Sequence, residues 1–366
     1  MSWLVLIISV LYAAVLNRIV RSWNSIETIS VENNEPVTVV VVFRNEEQNL
    51  PILINGLKTQ SIPQSELNII FVNDHSIDKS AQIVDDFLRN THIQSQHISI
   101  ANLGLEGKKA GVTSAVSAAN TDLILSTDAD CILPPTWVET MRKNAIEKSF
   151  VSGPVKFVES NSWWKKLSQL DFLSLIVLGF SSINKTRPTL ANGANMMFRK
   201  SAFLQVNGYV GNEQIVGGDD VFLLEKLAIA AQPIGVCKSE EALVQTGQPQ
   251  SFEEFIRQRL RWAGKTRLQL NNPRHDWLLA LMVCYMFFFL VIIGALFGGW
   301  KAAILAFIVK FVADYLFFKN ILPFFKERIL LKKVWIASVL HPIYVVLIGV
   351  SSKFTSIQWK GRIYKK

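Results

Sequence analysis

The chain has 366 residues, room for one large or two ordinary domains. Half of them are hydrophobic and the mean hydropathy is +0.26, too apolar for a wholly water-soluble enzyme. The net charge of +9 could belong to a nucleic-acid binder, but Lys and Arg gather beside the apolar segments, which fits an anionic membrane surface and sets nucleic acid aside.

The first apolar run is Trp3–Leu16. It is barely long enough for a span, and it has neither a basic leading region nor a small-residue cleavage site. It reads as an uncleaved anchor over residues 1–21, with Arg18 and Arg21 placing its C-terminal end inside. From about Pro36 to Asn272 the composition is that of a globular domain. Val37–Phe43 is a run of β-branched residues, a buried parallel strand by composition. Glu46–Gln60 is helical in pattern, Asn68–Val72 is a second strand, and Ser80–Asn90 is a helix with Ile83, Val84, Phe87 and Leu88 on one face. Asp122–Ser126 is a third strand. Strands alternating with helices predict a doubly wound, mostly parallel sheet.

Polar residues follow each strand, where an open α/β sheet builds its ligand crevice. Arg44 and Glu46 close the first strand. Asp74 closes the second, and Asp78 behind it reads as a helix cap. Gly107-Lys108-Lys109 opens a helix, an anion site if the lysines face a ligand and a basic turn if they do not. Asp128-Ala129-Asp130 sits just after the third strand. Two carboxylates at that position can hold Mg²⁺ or Mn²⁺, whose other ligands are waters and phosphate oxygens. Gly217-Gly218-Asp219-Asp220 precedes the apolar helix Val221–Leu227. Asp219 suits a cap there, and Asp220 suits a general base. Ser251 and Glu254 form a capping box for a helix that carries Gln258, Arg261 and Trp262 on one face. On that helix Arg261 can clamp a diphosphate and Trp262 can stack on a sugar, while Arg257, Arg259, Lys265 and Arg267 suit lipid headgroups.

Between these motifs, residues 161–184 read either as an amphipathic helix in the headgroup region, opened by Trp163-Trp164-Lys165-Lys166, or as a buried helix. Beyond them lie three apolar stretches, Trp277–Gly299, Ala302–Phe318 and Val334–Val350, within 277–352, and then a basic tail, 353–366. Three true spans would put that tail outside, against the positive-inside rule, so one stretch should be re-entrant or interfacial. Cys131, Cys237 and Cys284 show no pairing or zinc spacing, which suits a reducing compartment and a domain facing the cytoplasm.

The ordered motifs Val-Phe-Arg-Asn-Glu-Glu, Asn-Asp-His-Ser-Ile-Asp, Gly-Lys-Lys, Asp-Ala-Asp, Gly-Asp-Asp and Gln-Arg-Leu-Arg-Trp resemble those of membrane-embedded family 2 glycosyltransferases. That branch includes cellulose, hyaluronan and poly-N-acetylglucosamine synthases and ceramide glucosyltransferase. The resemblance covers about Val37 to Trp262. It implies a GT-A α/β fold with N-terminal and C-terminal transmembrane helices. It implies donor contacts from Arg44, Glu46, Asp74, Lys108 and Lys109, with donor and metal held by Asp128 and Asp130. Asp220 would be the base of an inverting reaction. Asn195, in Asn192-Gly193-Ala194-Asn195-Met196, and Asp219, Gln258, Arg261 and Trp262 would serve the acceptor or diphosphate. The base motif more often reads Glu-Asp than Asp-Asp. Trp359-Lys360-Gly361-Arg362-Ile363-Tyr364 resembles a tail that is usually cytoplasmic in such enzymes.

These expectations define an integral enzyme of the plasma (inner) membrane, facing the cytoplasm and working with membrane lipids. It would use a divalent metal and a nucleotide-sugar, expected to be a UDP-sugar. The first functional reading is transfer of a sugar to a lipid or lipid-linked acceptor. A processive polysaccharide synthase with a glycan acceptor is the alternative, and a non-catalytic nucleotide-binding subunit is the third.

Overall fold

Val37–Phe43 forms a strand buried at every position but one, as its β-branched composition predicts. The computed structural model describes residues 2–27, 31–213, 215, 217–269, 276–352, 354, 357–359 and 362–364. In chain order the elements are α1 (Ser2–Asn24), β1 (Val37–Phe43), α2 (Leu50–Lys58), β2 (Leu67–Asn73), α3 (Ser80–Arg89), β3 (Gln94–Ser99), α4 (Lys108–Ala118), β4 (Leu123–Asp128), β5 (Cys131–Ile132) and α5 (Trp137–Asn144). Then come β6 (Phe150–Ser152), β7 (Val155–Phe157), α6 (Trp163–Asn184), β8 (Met196–Arg199), α7 (Lys200–Gln205), α8 (Asp219–Ile229), β9 (Ile234–Val236) and β10 (Val244–Thr246). The chain ends with α9 (Phe252–Gln269), α10 (Asp276–Gly294), α11 (Trp300–Ile321), α12 (Val334–Ser351), β11 (Ile357–Trp359) and β12 (Arg362–Tyr364).

Two compact units divide the chain. One comprises Ile26–Val158 and Ser182–Gly247, the other Met1–Ser25, Glu159–Ser181 and Gln248–Lys366. The sequence reading put 36–272 in one domain. The structure instead groups most of α6, and all of α9, with the terminal helices.

The first unit is built on a seven-stranded sheet in the order β3-β2-β1-β4-β8-β6-β9. Strands β3, β2, β1 and β4 run parallel, while β8 is antiparallel to both β4 and β6. The order reverses between β1 and β4, which opens a crevice at their carboxyl ends. Register aligns the functional strand ends: Val42 is beside Asp128, and Phe43 is beside Asn73, the residue before Asp74. Helix α4 lies close on this sheet because residue 111 is glycine. A Cβ there would stand 2.8 Å from Val42 Cγ1. Val112, Ala115 and Val116 of α4 are fully buried against Val40, Ile70 and Val72. Each large apolar side chain buried in this way contributes about 1.5–3 kcal/mol. A three-stranded sheet, β5-β10-β7, lies beyond Asp130.

The other unit is helical. Helix α1 runs through Arg18 and Arg21 to Asn24, past the expected anchor end at 21. Phe288 of α10 meets Phe307 of α11, ring centroids 5.7 Å apart, so the chain reverses through the single π-turn Ala295–Gly299. These two helices form a hairpin, and α12 packs against both. Helix α6 departs from the amphipathic interfacial reading. It is a 22-residue helix without a distinct polar face, and most of it is buried. Among the described residues, three helices are long and apolar enough to cross a membrane: Val5–Asn24, Trp163–Asn184 and Arg328–Ser351. Helix α11 instead carries Lys310, Asp314 and Lys319. The basic tail holds a β-hairpin, with Trp359 opposite Arg362, and β11 runs near α9. Lys353, Lys360, Gly361, Lys365 and Lys366 of that tail, and Arg274 before α10, lie outside the described residues.

Candidate active site

The strand ends gather the motifs of the first unit. Asp128 is the last residue of β4, inside the strand rather than two residues past the expected Asp122–Ser126 run. Lys108 is the first residue of α4, after Gly107. Its Nζ lies 2.7 Å from Asp128 Oδ1 and 2.8 Å from Asp219 Oδ2. Burial disfavours the ammonium, but Asp128 and Asp219 beside it prevail and hold its pKa well above the usual lysine value. One cation therefore joins the end of β4, the start of α4 and the start of α8.

Asp219 and Asp220 occupy the first turn of α8, with Gly218 in a left-handed conformation before them. Asp219 does not cap the helix, as sequence allowed; it is buried and turned to Lys108. Asp220 takes a different neighbourhood. Its Oδ2 accepts from the Gly193 amide at 3.1 Å and its Oδ1 from its neighbour Val221 at 2.8 Å. A helix N-terminus, where Asp220 sits, favours negative charge.

Asp130 follows β4 in the turn to β5, where Thr246 Oγ1 of β10 donates to its Oδ2 at 3.2 Å. Among the described residues no three His, Cys, Asp or Glu side chains are grouped to hold a metal by themselves. The donor set still fits a hard cation that arrives with phosphate. Mg²⁺ takes one or two carboxylates and completes its shell with waters and phosphate oxygens. Asp128 and Asp130 supply such carboxylates.

Asp74 lies just past β2, buried, with His75 Nδ1 2.9 Å from its Oδ1. Arg44 Nη1 donates to the Asp74 carbonyl at 3.4 Å. Glu46 accepts from Asn49 Nδ2 at 2.6 Å, and Asp78 accepts from the Ser80 and Glu47 amides, the capping job expected of it.

Two expected ligand residues have other work. Lys109 is buried and donates to the carbonyls of Asn212, at 2.6 Å, and Ile215, at 2.8 Å. It holds the loop that leads into Gly217-Gly218-Asp219-Asp220 rather than sharing the place of Lys108. Asn195 has no exposed surface. Its Oδ1 accepts from the Trp137 indole at 2.9 Å, and its Nδ2 donates to the carbonyls of Pro154 and Ala242, each at 2.9 Å. A fully enclosed amide cannot meet an acceptor, so Asn195 is a core fastener. Sequence reasoning missed Thr246, which carries no motif signal, and took Asn195 rather than the Gly193 amide from Asn192-Gly193-Ala194-Asn195-Met196. It also missed Tyr209, whose phenol burial, with Asp219 and Asp220 nearby, raises well above its ordinary pKa.

Gln258, Arg261 and Trp262 belong to α9 of the helical unit. Ser251 Oγ accepts from the Glu254 amide at 3.1 Å, as the capping box predicts. Arg259 is not on the headgroup face expected of it. It is buried, with Nη2 2.8 Å from Asp171 Oδ2.

The model described as "Glycosyl transferase family group 2" matches residues 123–349, and "Glycosyl transferase family 2" matches residues 38–205. The chain belongs to glycosyl transferase family group 2. Among proteins similar to this family member is an undecaprenyl-phosphate 4-deoxy-4-formamido-L-arabinose transferase of Proteus mirabilis (strain HI4320). It is 28% identical over 137 residues, 37% of this chain and 41% of that protein. A poly-beta-1,6-N-acetyl-D-glucosamine synthase of Staphylococcus epidermidis is 23% identical over 235 residues, 63% of this chain and 54% of that protein. The chain thus spans about half the length of these curated relatives. Among solved structures, a mannosyltransferase from Pyrobaculum calidifontis, in complex with GDP-Man and Mn²⁺, covers 96% of both chains. Its TM-score is 0.63 at 17% identity, a likeness of fold.

Proposed function

We propose that the chain is a membrane-embedded inverting glycosyltransferase that moves a sugar from a nucleotide-sugar to a lipid or lipid-linked acceptor. The observation that carries this reading is the Lys108 bridge between Asp128 and Asp219, with Asp220 next in α8. It gathers a phosphate-seeking cation, the Asp-Ala-Asp carboxylates and a separate basic carboxylate at the switch point of the sheet. Asp74 and Glu46 at the neighbouring strand ends supply acceptors for a base or ribose, and a UDP-sugar is the proposed donor. Asp128 and Asp130 would hold a divalent metal, which when bound neutralises charge on the departing diphosphate. Lys108 adds a second positive charge to that diphosphate. Asp220 takes the acceptor hydroxyl proton as the acceptor oxygen attacks the anomeric carbon opposite the leaving group. Gln258, Arg261 and Trp262 serve the acceptor or the diphosphate.

The relative named undecaprenyl-phosphate transferase supports a lipid acceptor, and the three span-length helices support a membrane setting. The buried free cysteines, Cys131, Cys237 and Cys284, support a cytoplasmic catalytic face at the plasma (inner) membrane. A processive polysaccharide synthase is the second reading, favoured by the broader match to the poly-N-acetylglucosamine synthase. The test is incubation of the purified full chain with a panel of nucleotide-sugars, Mn²⁺ and membrane lipids, followed by product analysis. A chloroform-extractable glycolipid supports the first reading and a high-mass polymer the second. Failure to consume any donor, with or without metal, rejects both.

A further inference from the structure

The helical unit holds a buried charge cluster that the reaction above does not use. Asp171 of α6 receives Arg259 Nη2 of α9 on Oδ2 at 2.8 Å and His341 Nε2 of α12 on Oδ1 at 3.1 Å. Arg259 is 3% exposed and Asp171 11%. The same guanidinium lies 4.3 Å from the ring centroid of Trp262 and 5.0 Å from that of Phe255. Trp262 also packs against Phe172, the residue after Asp171, with centroids 6.0 Å apart. One carboxylate thus fixes a guanidinium, and that guanidinium and Phe172 pack on the ring.

Stability alone is a poor reason for such an arrangement. Taking two charges out of water costs several kcal/mol per ion, and an apolar replacement is often as stable. What an ion pair with planar geometry adds is direction, because the guanidinium presents both a fork to the carboxylate and a flat face to an aromatic ring. Arg259 and Trp262 are three residues apart, neighbours on one face of α9.

We propose that Arg259 and Asp171 are positioning residues, a buried pair that sets the angle of the Trp262 ring which the signature helix presents to substrate. The inference rests on the assignment of Trp262 to the acceptor or diphosphate. His341 holds the far oxygen of Asp171, so α6, α9 and α12 share the setting.

The experiment uses the full-length protein and the variants Asp171→Asn, Arg259→Gln, Arg259→Lys, the Asp171→Asn/Arg259→Gln double and Trp262→Ala. Turnover, donor dissociation constant and thermal midpoint are measured for each. Asp171→Asn and Arg259→Gln should each lower turnover about tenfold to a hundredfold, the scale of a small misplacement of reacting groups. Donor affinity should stay within about twofold, and the double should be no slower than the worse single, because one loss already frees the ring. Arg259→Lys keeps the charge for Asp171 but not the flat face, so it should restore the midpoint without restoring turnover. If Arg259→Lys restores both, the pair is merely structural and the proposal fails. It fails equally if both single variants turn over as wild type. Should Asp171→Asn not fold, Arg259→Lys still decides. Wild-type turnover in Trp262→Ala overturns the assignment of the signature, and this inference with it, whereas a slow Trp262→Ala beside a fully active Arg259→Lys overturns the pair alone.

Discussion

Lys108 Nζ stands 2.8 Å from Asp219 Oδ2, and this contact ties the first turn of α4 to the first turn of α8. It also gives the two neighbouring aspartates different surroundings, since Asp219 faces Lys108 while Asp220 accepts from the Gly193 and Val221 amides.

Replacing Asp220 by Asn removes the proton acceptor and keeps the shape. Turnover should fall by about 10²–10⁴-fold, the usual contribution of a general base, with donor affinity little changed. Asp219→Asn should instead weaken donor binding through Lys108 and lose less turnover. Steady-state rates and donor titrations on both variants decide it. A dead Asp219→Asn beside a near-normal Asp220→Asn would reverse the assignment.

Lys108→Met leaves Asp128 and Asp219 facing each other without a cation. The diphosphate loses a charged hydrogen-bond donor, worth about 1.5–3 kcal/mol, so donor affinity should drop roughly tenfold to a hundredfold. Calorimetric titration with UDP and with UDP-sugars reads this. An unchanged dissociation constant would place Lys108 outside the donor site.

Asn195→Ala strands the Trp137 indole and the carbonyls of Pro154 and Ala242 inside the core. Each unsatisfied group costs about 1–3 kcal/mol, so the thermal midpoint should fall clearly. The acceptor KM of the protein that remains folded should not move. A raised KM with an unchanged midpoint would return Asn195 to the acceptor.

Arg199, at the end of β8, grips Glu35 with both terminal nitrogens, at 2.8 and 3.0 Å, and Asp122 at 3.0 Å. The Arg199 hydrogen bonds hold Glu35 below its ordinary 4.5 against the opposing effect of burial. Burial also opposes the charge on Asp122, yet the Ser201 amide and Arg199 bring it below 3.8. Carboxylates lowered on folding lend stability above their unfolded values and lose it as pH falls through the folded ones. Arg199→Gln should therefore melt below wild type at pH 7, and the gap should close as pH is taken below about 4. A gap that does not narrow at all as pH falls below 3.8 would mean the arginine acts through packing.

The three strands that build the crevice were legible because each is a long apolar run, and the residues at their ends inherit the geometry of a parallel sheet. The rest of the sheet was not. Strand β3 reads Gln-Ser-Gln-His-Ile-Ser, too polar for a periodicity test, and it survives as an edge strand. Strands β6 and β9 have three residues each, as do β7 and β10 of the smaller sheet, shorter than any pattern can register. Asn195 and Arg259 mark a different boundary. An amide or a guanidinium looks the same in sequence whether it faces a ligand or a buried partner, and their partners are set by long-range packing.

Tyr12 of α1 donates to Asp314 of α11 at 2.6 Å, and Lys310 beside them is fully enclosed. Tyr12 therefore waits for α11 before it meets Asp314, whereas Asp314 has Lys310 of its own helix from the start. At about 5–20 residues per second, the 302 positions that separate Tyr12 and Asp314 take roughly 15–60 s to synthesise. Throughout that interval a ribosome-bound chain holds α1 without its final partner. Loss of α11 thus takes the Asp314 acceptor from Tyr12, whereas loss of α1 leaves Asp314 its Lys310 partner.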